Sequence, residues 1–412
     1  MRRTLDPFSV VVFALLGVGA GVVAGLTPGV HPNTLAALFV SAGALLAFVP
    51  TEAMLLIVTM TLTNTFVNFI PSVFLGAPEG GAARSLLPGH RYLLEGRGYE
   101  AVLLSVVGGV GVAVLAILLF APLLFLLPHL YAAISPGIPY LLLAVAGFLV
   151  WGERGWGRPW GAGIFLLTGV LGMLTFRSAF ASPHTLFPLL GGLFGVSSLL
   201  LSLQARVHLP PQHTWMPPLE RRVVCWGTVK GFASGLVVGL LPGIGPSEAG
   251  VLVQEATRSR SLREYLVAAG GISTISALFS LLALYLIGKV RSGTAAAIHQ
   301  LVGSLVWWDV VLLVGAACFA VGVGVPLTLG LARVFCRAAA RVPYALLAGV
   351  ALILMVGLTI VLTGASGLLV LLTATGLGLL PPLVGVRRTH AMGCLMVPII
   401  LFSLAATLFG LG

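Results

Sequence analysis

Hydrophobic runs follow one another from end to end of this chain, separated by short polar connectors. They lie at about 8–27, 33–49, 52–75, 101–128, 138–151, 160–176, 183–205, 223–241, 247–257, 265–288, 294–332, 343–363, 366–384 and 391–411. Many have the length of about 18–25 residues that crosses a hydrocarbon core, and they lack the strict two-residue alternation of barrel strands. The pattern predicts an all-α polytopic membrane protein with about 10–12 transmembrane helices.

The composition agrees with that fold class. Of 412 residues, 58% are hydrophobic and 8% charged, whereas soluble domains carry about 25% charged residues. We therefore expect a multi-pass protein of the cell membrane. The net charge of +11 fits either loop arginines that orient the chain and meet anionic lipid, or an anionic substrate. The sequence has no nucleotide-binding loop and no catalytic triad, so we expect no enzyme, no metal and no nucleic-acid partner.

A proline- and glycine-rich break interrupts the hydrophobic pattern twice, at residues 25–34 and again at residues 239–248. Each break follows a helix with glycine at every fourth position. The glycines are Gly17, Gly21 and Gly25 in the first helix and Gly231, Gly235 and Gly239 in the second, a spacing that most simply allows close helix packing. Proline removes a backbone donor and glycine tolerates open geometry, so each break ends one helix. Since the second copy lies in mid-chain, we expect the first helix to be retained structure and not a signal peptide.

Other features match between the two halves in the same order. The polar stripes are Thr61/Asn64/Asn68 and, 212 positions later, Ser273/Ser276/Ser280. A further match, at residues 138–140 and 342–344, follows at a shift of 204. The sequence thus predicts two homologous membrane repeats, residues 1–206 and 223–412, joined by a polar linker, 207–222. Duplicated halves are common in secondary transporters, and we expect inverted repeats with broken or re-entrant helices.

The two breaks are the candidate substrate site. Unwound backbone at membrane depth is tolerated where it lines a cavity or is buried in protein, and freed amides at a helix N-terminus attract anions. We expect the breaks to form two walls of one site, lined by the stripes. The candidate substrate-binding residues are Thr27, Gly29, His31, Asn33, Thr34, Asn64, Asn68, Gly243, Gly245, Ser247, Ser273 and Ser276. The alternative is two turns at the membrane surface, with stripes that only join helices.

Acidic residues near the membrane segments are candidates for ion coupling. Glu248 stands beside the second break, where it would bind a proton or a sodium ion, or simply stabilise a helix N-terminus. Its counterpart in the first half is Thr34, so the role is asymmetric. Asp309 follows two tryptophans, Trp307 and Trp308, and is expected at the membrane interface. We expect no other cofactor.

Several segments resemble a known family. They are the two breaks, residues 69–78, Leu87-Pro88-Gly89-His90 and Glu95-Gly96-Arg97-Gly98. Together they are similar to the large membrane subunit of tripartite tricarboxylate transporters, the TctA-like permeases, of which this chain resembles a divergent short member. His90 and Arg91 stand where that family tends to have Tyr and Pro. The resemblance implies carboxylate uptake driven by an ion gradient, with a small membrane subunit and a soluble binding protein as partners.

Three functions remain open from the residues. The first is a permease for small organic anions, with di- or tricarboxylates as the expected substrates and with coupling to a sodium or proton gradient. The second is a polyprenyl- or lipid-phosphate translocase, which would need Arg84, Arg91 or Arg177 inside the protein. The third is a membrane scaffold without transport, in which the breaks would pack dry. Association of the chain with further copies of itself is also left open.

Overall fold

The hydrophobic pattern produces a bundle of helices. The computed structural model describes residues 6–27, 32–33, 35–36, 39–40, 49–74, 88–177, 185–204, 210–215, 218–240, 261–339 and 344–409. Within those ranges the regular structure is helical throughout. Nine of the described helical segments are long and apolar enough to cross a membrane. The protein is therefore an all-α, multi-pass membrane protein, as the sequence predicts.

The helices of the first part of the chain are α1 (Pro7–Leu26), α2 (Pro50–Val67), α3 (Phe69–Phe74), α4 (Pro88–Leu94), α5 (Gly98–Leu118), α6 (Phe120–Ile134), α7 (Ile138–Trp151), α8 (Gly157–Arg177), α9 (Leu186–Leu190) and α10 (Ser197–Gln204), with a π-helical turn, Gly191–Val196, between the last two. Those of the second part are α11 (Arg221–Leu240), α12 (Leu262–Ile287), α13 (Gly293–Val302), α14 (Trp307–Ala339), α15 (Tyr344–Val384) and α16 (Gly393–Phe409), with a 3-10 turn, Arg388–Met392, before α16.

Two predicted boundaries were wrong. The single run at 101–128 is two helices, α5 and α6, because Leu119 leaves helical geometry between them. The run at 294–332 is also two helices, since Gly303 ends α13 with φ +74°. Hydropathy does not register these backbone changes because the flanking residues stay apolar. The division between 343–363 and 366–384 is confirmed, because α15 has a kink with non-helical geometry at Gly364, φ +66°.

The glycine-rich helices α1 and α11 pack in the same way on α2 and α12. A Cβ on Gly25 would lie 2.7 Å from Val67 Cβ, and one on Gly239 would lie 2.9 Å from Phe279 Cβ. Gly25 and Gly239 differ by 214 positions, and Val67 and Phe279 by 212. The absence of side chains lets the backbones approach closely. The helix α2, which receives α1, is buried at every residue from Ala53 to Val67.

A second pair of contacts joins the late helices across the two parts of the chain. A Cβ on Gly192, in the π-helical turn, would meet the Leu371 carbonyl oxygen of α15. A Cβ on Gly393, in α16, would likewise meet the Phe165 carbonyl oxygen of α8. In each case a late helix of one part packs on a helix of the other part. The first and second parts of the chain therefore pack against each other through these late helices.

The polar linker is attached to the bundle where it is described. Gln212 accepts from Gly98 N at 3.0 Å and donates to the Leu93 oxygen at 3.0 Å, and His213 N donates to the Gly96 oxygen at 2.8 Å. Gly96 has φ +77°, and a Cβ there would lie 2.8 Å from the Pro211 oxygen. This part of the linker is therefore held across the α4–α5 connection.

Candidate functional site

Asn33 of the first break reaches the N-terminus of α13. Its Oδ1 accepts a hydrogen bond from Thr294 N at 3.1 Å. The side chain fits because residue 293 is glycine, where a Cβ would lie 2.6 Å from the Asn33 Cβ. A residue from the beginning of the chain thus covers one of the free amides that begin a helix in the second part.

Three hydroxyl groups continue from this contact. Ser280 of α12 donates to Ser292 Oγ at 2.6 Å, and Ser292 Oγ and Thr294 Oγ1 are 2.9 Å apart. Ser292 is also the N-cap of α13, because its Oγ accepts from Ala295 N at 3.1 Å. We call Asn33, Ser280, Ser292 and Thr294 the α13 cluster. It combines one side chain from the first break with three from the second part of the chain.

The α13 cluster is uncharged, and it lies at the positive end of a helix. None of its four members carries a formal charge. The N-terminus of a helix such as α13, with 10 residues, bears a partial positive charge and free amides, which favour a carboxylate or another anion. The hydroxyl and amide oxygens supply neutral ligands of the kind that bind a hard cation. The arrangement can thus hold an anion at the helix end beside a small cation.

The first polar stripe keeps its bonds within its own helix. Thr61 donates to the Ile57 oxygen at 2.6 Å, and Asn68 Nδ2 is 3.5 Å from Asn64 Oδ1. Thr27 ends α1 with its backbone N–H on the Val23 oxygen at 3.1 Å. Because Gly25 packs on Val67, these groups lie at the same end of the α1–α2 pair as the first break.

The second stripe divides between two environments. Ser280 belongs to the α13 cluster, whereas Ser276 donates to the Ile272 oxygen of its own helix at 2.6 Å. Ser273 is partly buried on the same helix. Thr274, one position further, is 3.3 Å from Thr65 Oγ1 in a buried contact between α2 and α12. Sequence reasoning missed Thr274 and Thr65, because a threonine inside an apolar helix has no local signal of its partner.

Seven candidates lie outside the described residues, and the structure leaves them as sequence predictions. They are Gly29, His31, Thr34, Gly243, Gly245, Ser247 and Glu248. The expected meeting of the two breaks is therefore still a prediction. Sequence reasoning missed Ser292 and Thr294, which end and directly follow a connector whose Lys289 and Arg291 resemble an ordinary charged loop. The N-cap serine before a short apolar run was the available signal.

Asp309 is buried at the start of α14, and its expected depth at the membrane interface stays a prediction. It is 2% exposed, and its Oδ2 accepts from Val306 N at 2.8 Å in the first turn of α14. The neighbouring Trp307 and Trp308 are 48% and 72% exposed, so the tryptophans, not the acid, face outward. The carboxylate stabilises the start of α14.

His90 is buried next to the end of α3. Its Nε2 lies 2.7 Å from the Ser72 oxygen, and since a carbonyl only accepts, Nε2 carries the proton. Burial lowers the pKa of His90 to about 4, partly opposed by the bond to Ser72 and assisted by the positive charge of Arg388. The imidazole is therefore neutral at physiological pH. Arg388 in turn donates to Ser198 Oγ in α10, joining the two parts of the chain.

The arginines that would mark a lipid-phosphate path do not form one in the described chain. Arg91 is 60% exposed and pairs with Glu95 at 3.2 Å. Arg177 lies 4.9 Å from the ring centroid of Phe402. Arg84 is outside the described residues. Among the residues that are described, no group of three or more His, Cys, Asp or Glu side chains could hold a metal ion.

Known proteins match this chain over most of its length. The model of the tripartite tricarboxylate transporter TctA family matches residues 11–393. An uncharacterized protein of Methanocaldococcus jannaschii is 31% identical over 296 residues, which cover 70% of this chain and 72% of that protein. No solved structure matches.

Proposed function

This chain belongs to the tripartite tricarboxylate transporter TctA family, and from that membership we propose that it is a secondary active permease for small organic anions, namely di- or tricarboxylates. The family membership supports a transporter component and not an enzyme. The finer statement, substrate uptake through this chain, is supported by one observation. Asn33 Oδ1, from the first break, accepts a hydrogen bond from Thr294 N at the N-terminus of α13. This end of a helix favours anions.

In this proposal a substrate carboxylate displaces Asn33 from the start of α13. Asn33 Oδ1 accepts from Thr294 N at 3.1 Å, and a carboxylate oxygen would accept from the same amide with a stronger, charge-assisted bond. Ser292 and Ser280 would donate to the remaining carboxylate oxygens. When no substrate is bound, Asn33 accepts the hydrogen bond of the Thr294 amide. This amide is then not left without a partner.

Coupling to an ion gradient is the second part of the proposal. Sodium would bind to the hydroxyl and amide oxygens of the α13 cluster, whereas a proton would bind to Glu248. The matched packing of α1 on α2 and of α11 on α12 supports two homologous repeats, which we propose correspond to residues 1–206 and 223–412. An inverted relation between them would let the two breaks alternate in facing the two sides of the membrane.

We also propose that the chain works with partner subunits, a small membrane protein and a soluble binding protein, as the name of a tripartite family implies. The test is uptake of labelled di- and tricarboxylates into proteoliposomes, with the purified chain alone and with its partners added. Imposed sodium and proton gradients would be compared. Uptake that needs one gradient supports the proposal. Absence of uptake under every condition, with active partners present, would leave the lipid-phosphate or scaffold function.

A further inference from the structure

An apolar groove of about 500 Å³ opens between α5, α12 and α14, with Leu62 of α2 in its lining. Representative lining residues are Phe120, Leu278, Tyr285, Trp307, Val314 and Cys318. Its side chains offer almost no hydrogen-bonding groups, so it suits a hydrocarbon and not a carboxylate. The groove is separate from the α13 cluster, none of whose residues lines it.

The groove is long enough to run through one membrane leaflet. Its lining on α14 runs from Trp307 to Gly322, which at 1.5 Å per residue is about 22 Å. Half of a hydrocarbon core is about 15 Å. At the outer end the rings of Trp307 and Phe120 lie 6.3 Å apart, and aromatic rings favour the membrane–water interface. The groove therefore extends from the interface towards the middle of the membrane.

Two cations, Lys289 and Arg291, lie in the connector that follows α12, a few residues after Tyr285, which lines the groove. Lys289 is exposed. The Nε and Nη2 atoms of Arg291 are shielded and have no hydrogen-bond partner within the described chain, and its guanidinium lies 4.8 Å from the Tyr131 ring centroid. Tyr131 packs in the same hydrophobic cluster as Ile275, which lines the groove. A shielded guanidinium with free donors calls for an anion.

We propose that the groove holds one acyl chain of an anionic phospholipid, with the lipid phosphate at Arg291 and Lys289. An acyl chain matches the lining of the groove, which is almost entirely apolar along its length. The positive charges of Lys289 and Arg291 favour an anionic headgroup. Within the described chain no acid is paired with Arg291, whose Nε and Nη2 have no hydrogen-bond partner.

The chain carries its own probe for this site. Cys318 lines the groove and is exposed, Cys225 is exposed on α11 outside it, and Cys336 and Cys394 are buried. The experiment measures the rate of N-ethylmaleimide labelling at Cys318 and Cys225 in delipidated protein, before and after phosphatidylglycerol, phosphatidylcholine or glycerol phosphate is added. We expect phosphatidylglycerol to slow labelling of Cys318 several-fold and to leave Cys225 unchanged.

Variants separate the chain from the headgroup. Val314→Trp fills the groove and should abolish binding of phosphatidylglycerol, whereas Ile353→Trp, on an exposed face of α15, should not. Arg291→Gln should reduce the advantage of phosphatidylglycerol over phosphatidylcholine while leaving Cys318 protectable. Equal protection by both lipids in the wild-type chain, equal protection of both cysteines, or protection by glycerol phosphate alone would overturn the proposal. So would a Cys318 that only a co-purified membrane protein protects.

Discussion

The two polar stripes have the same spacing and different partners. On α2, Asn68, the counterpart of Ser280, donates from Nδ2 to Asn64 Oδ1 at 3.5 Å, so it bonds within its own stripe. On α12, Ser280 bonds Ser292, in the connector before α13. The positions correspond in sequence, yet only the second reaches beyond its helix in the described bonds. A repeated pattern therefore locates equivalent positions, and the partner of each side chain decides which of them can bind a substrate.

Substitution of Asn33 should have the largest effect on carboxylate uptake. We predict that Asn33→Asp lowers carboxylate uptake at least about 100-fold, since like charges in contact cost several kcal/mol. The carboxylate still accepts from Thr294 N, so the fold should persist. The measurement is initial uptake in proteoliposomes, with size-exclusion chromatography to check folding. Asn68→Asp, on the first stripe, is the control and should lose much less. Equal losses would remove the distinction between the stripes.

Gly293 should be the next most sensitive position. In Gly293→Ala the new Cβ would lie 2.6 Å from the Asn33 Cβ and would shift the start of α13, whose Thr294 amide is the proposed donor to the substrate carboxylate. Overpacking of this kind costs about 1–3 kcal/mol, so we expect uptake to fall about tenfold or more. Gly376→Ala is the matched control because a Cβ there meets nothing within 4 Å. If Gly293→Ala and Gly376→Ala both transport like the wild type, Gly293 has no part in the site.

The two serines of α12 give a finer comparison. Ser280→Ala removes the donor to Ser292, a loss of about 1 kcal/mol, or about fivefold in apparent substrate affinity. Ser276→Ala removes only a bond to its own helix at the Ile272 oxygen and should change affinity less than about twofold. The concentration dependence of uptake measures both. A larger effect at Ser276 would show that the substrate path follows the stripe and not the cluster.

His90 lies outside this comparison, and its expected effect is on stability and not on uptake. Its pKa is about 4 in the folded protein and about 6.5 in the unfolded chain. The unfolded chain therefore takes up a proton first as the pH falls, and stability should decrease from about pH 6.5 towards pH 4, by up to about 1.4 kcal/mol per unit. Thermal unfolding in detergent measures the slope. His90→Gln, which can still donate to the Ser72 oxygen, should flatten it. An unchanged slope would assign the acid sensitivity to other groups.

The sequence was most informative where one local property decides the structure. Continuous apolar runs predicted the membrane helices, and the glycines of α1 and α11 predicted close packing that the structure confirms at Gly25 and Gly239. The first break also pointed to Asn33. These predictions hold because hydrophobic length and the lack of a side chain act regardless of what lies further along the chain.

The sequence was least informative where the partner is remote. Thr65 and Thr274 are 209 positions apart, and neither shows locally that the other will face it. Ser292 and Thr294 were passed over because they follow Lys289 and Arg291, which are typical of a surface loop. The division of 294–332 into α13 and α14 depends on the backbone at Gly303, so the apolar run shows where α13 begins but not where it ends.

The central claim is that a carboxylate binds where Asn33 meets α13. Its most direct test is equilibrium binding of labelled citrate and other di- and tricarboxylates to the purified chain, wild type and Asn33→Asp, with sodium present and absent. The account predicts saturable binding of at least one carboxylate to the wild type and its loss in Asn33→Asp, with both proteins equally folded. Equal binding to the two proteins would contradict it.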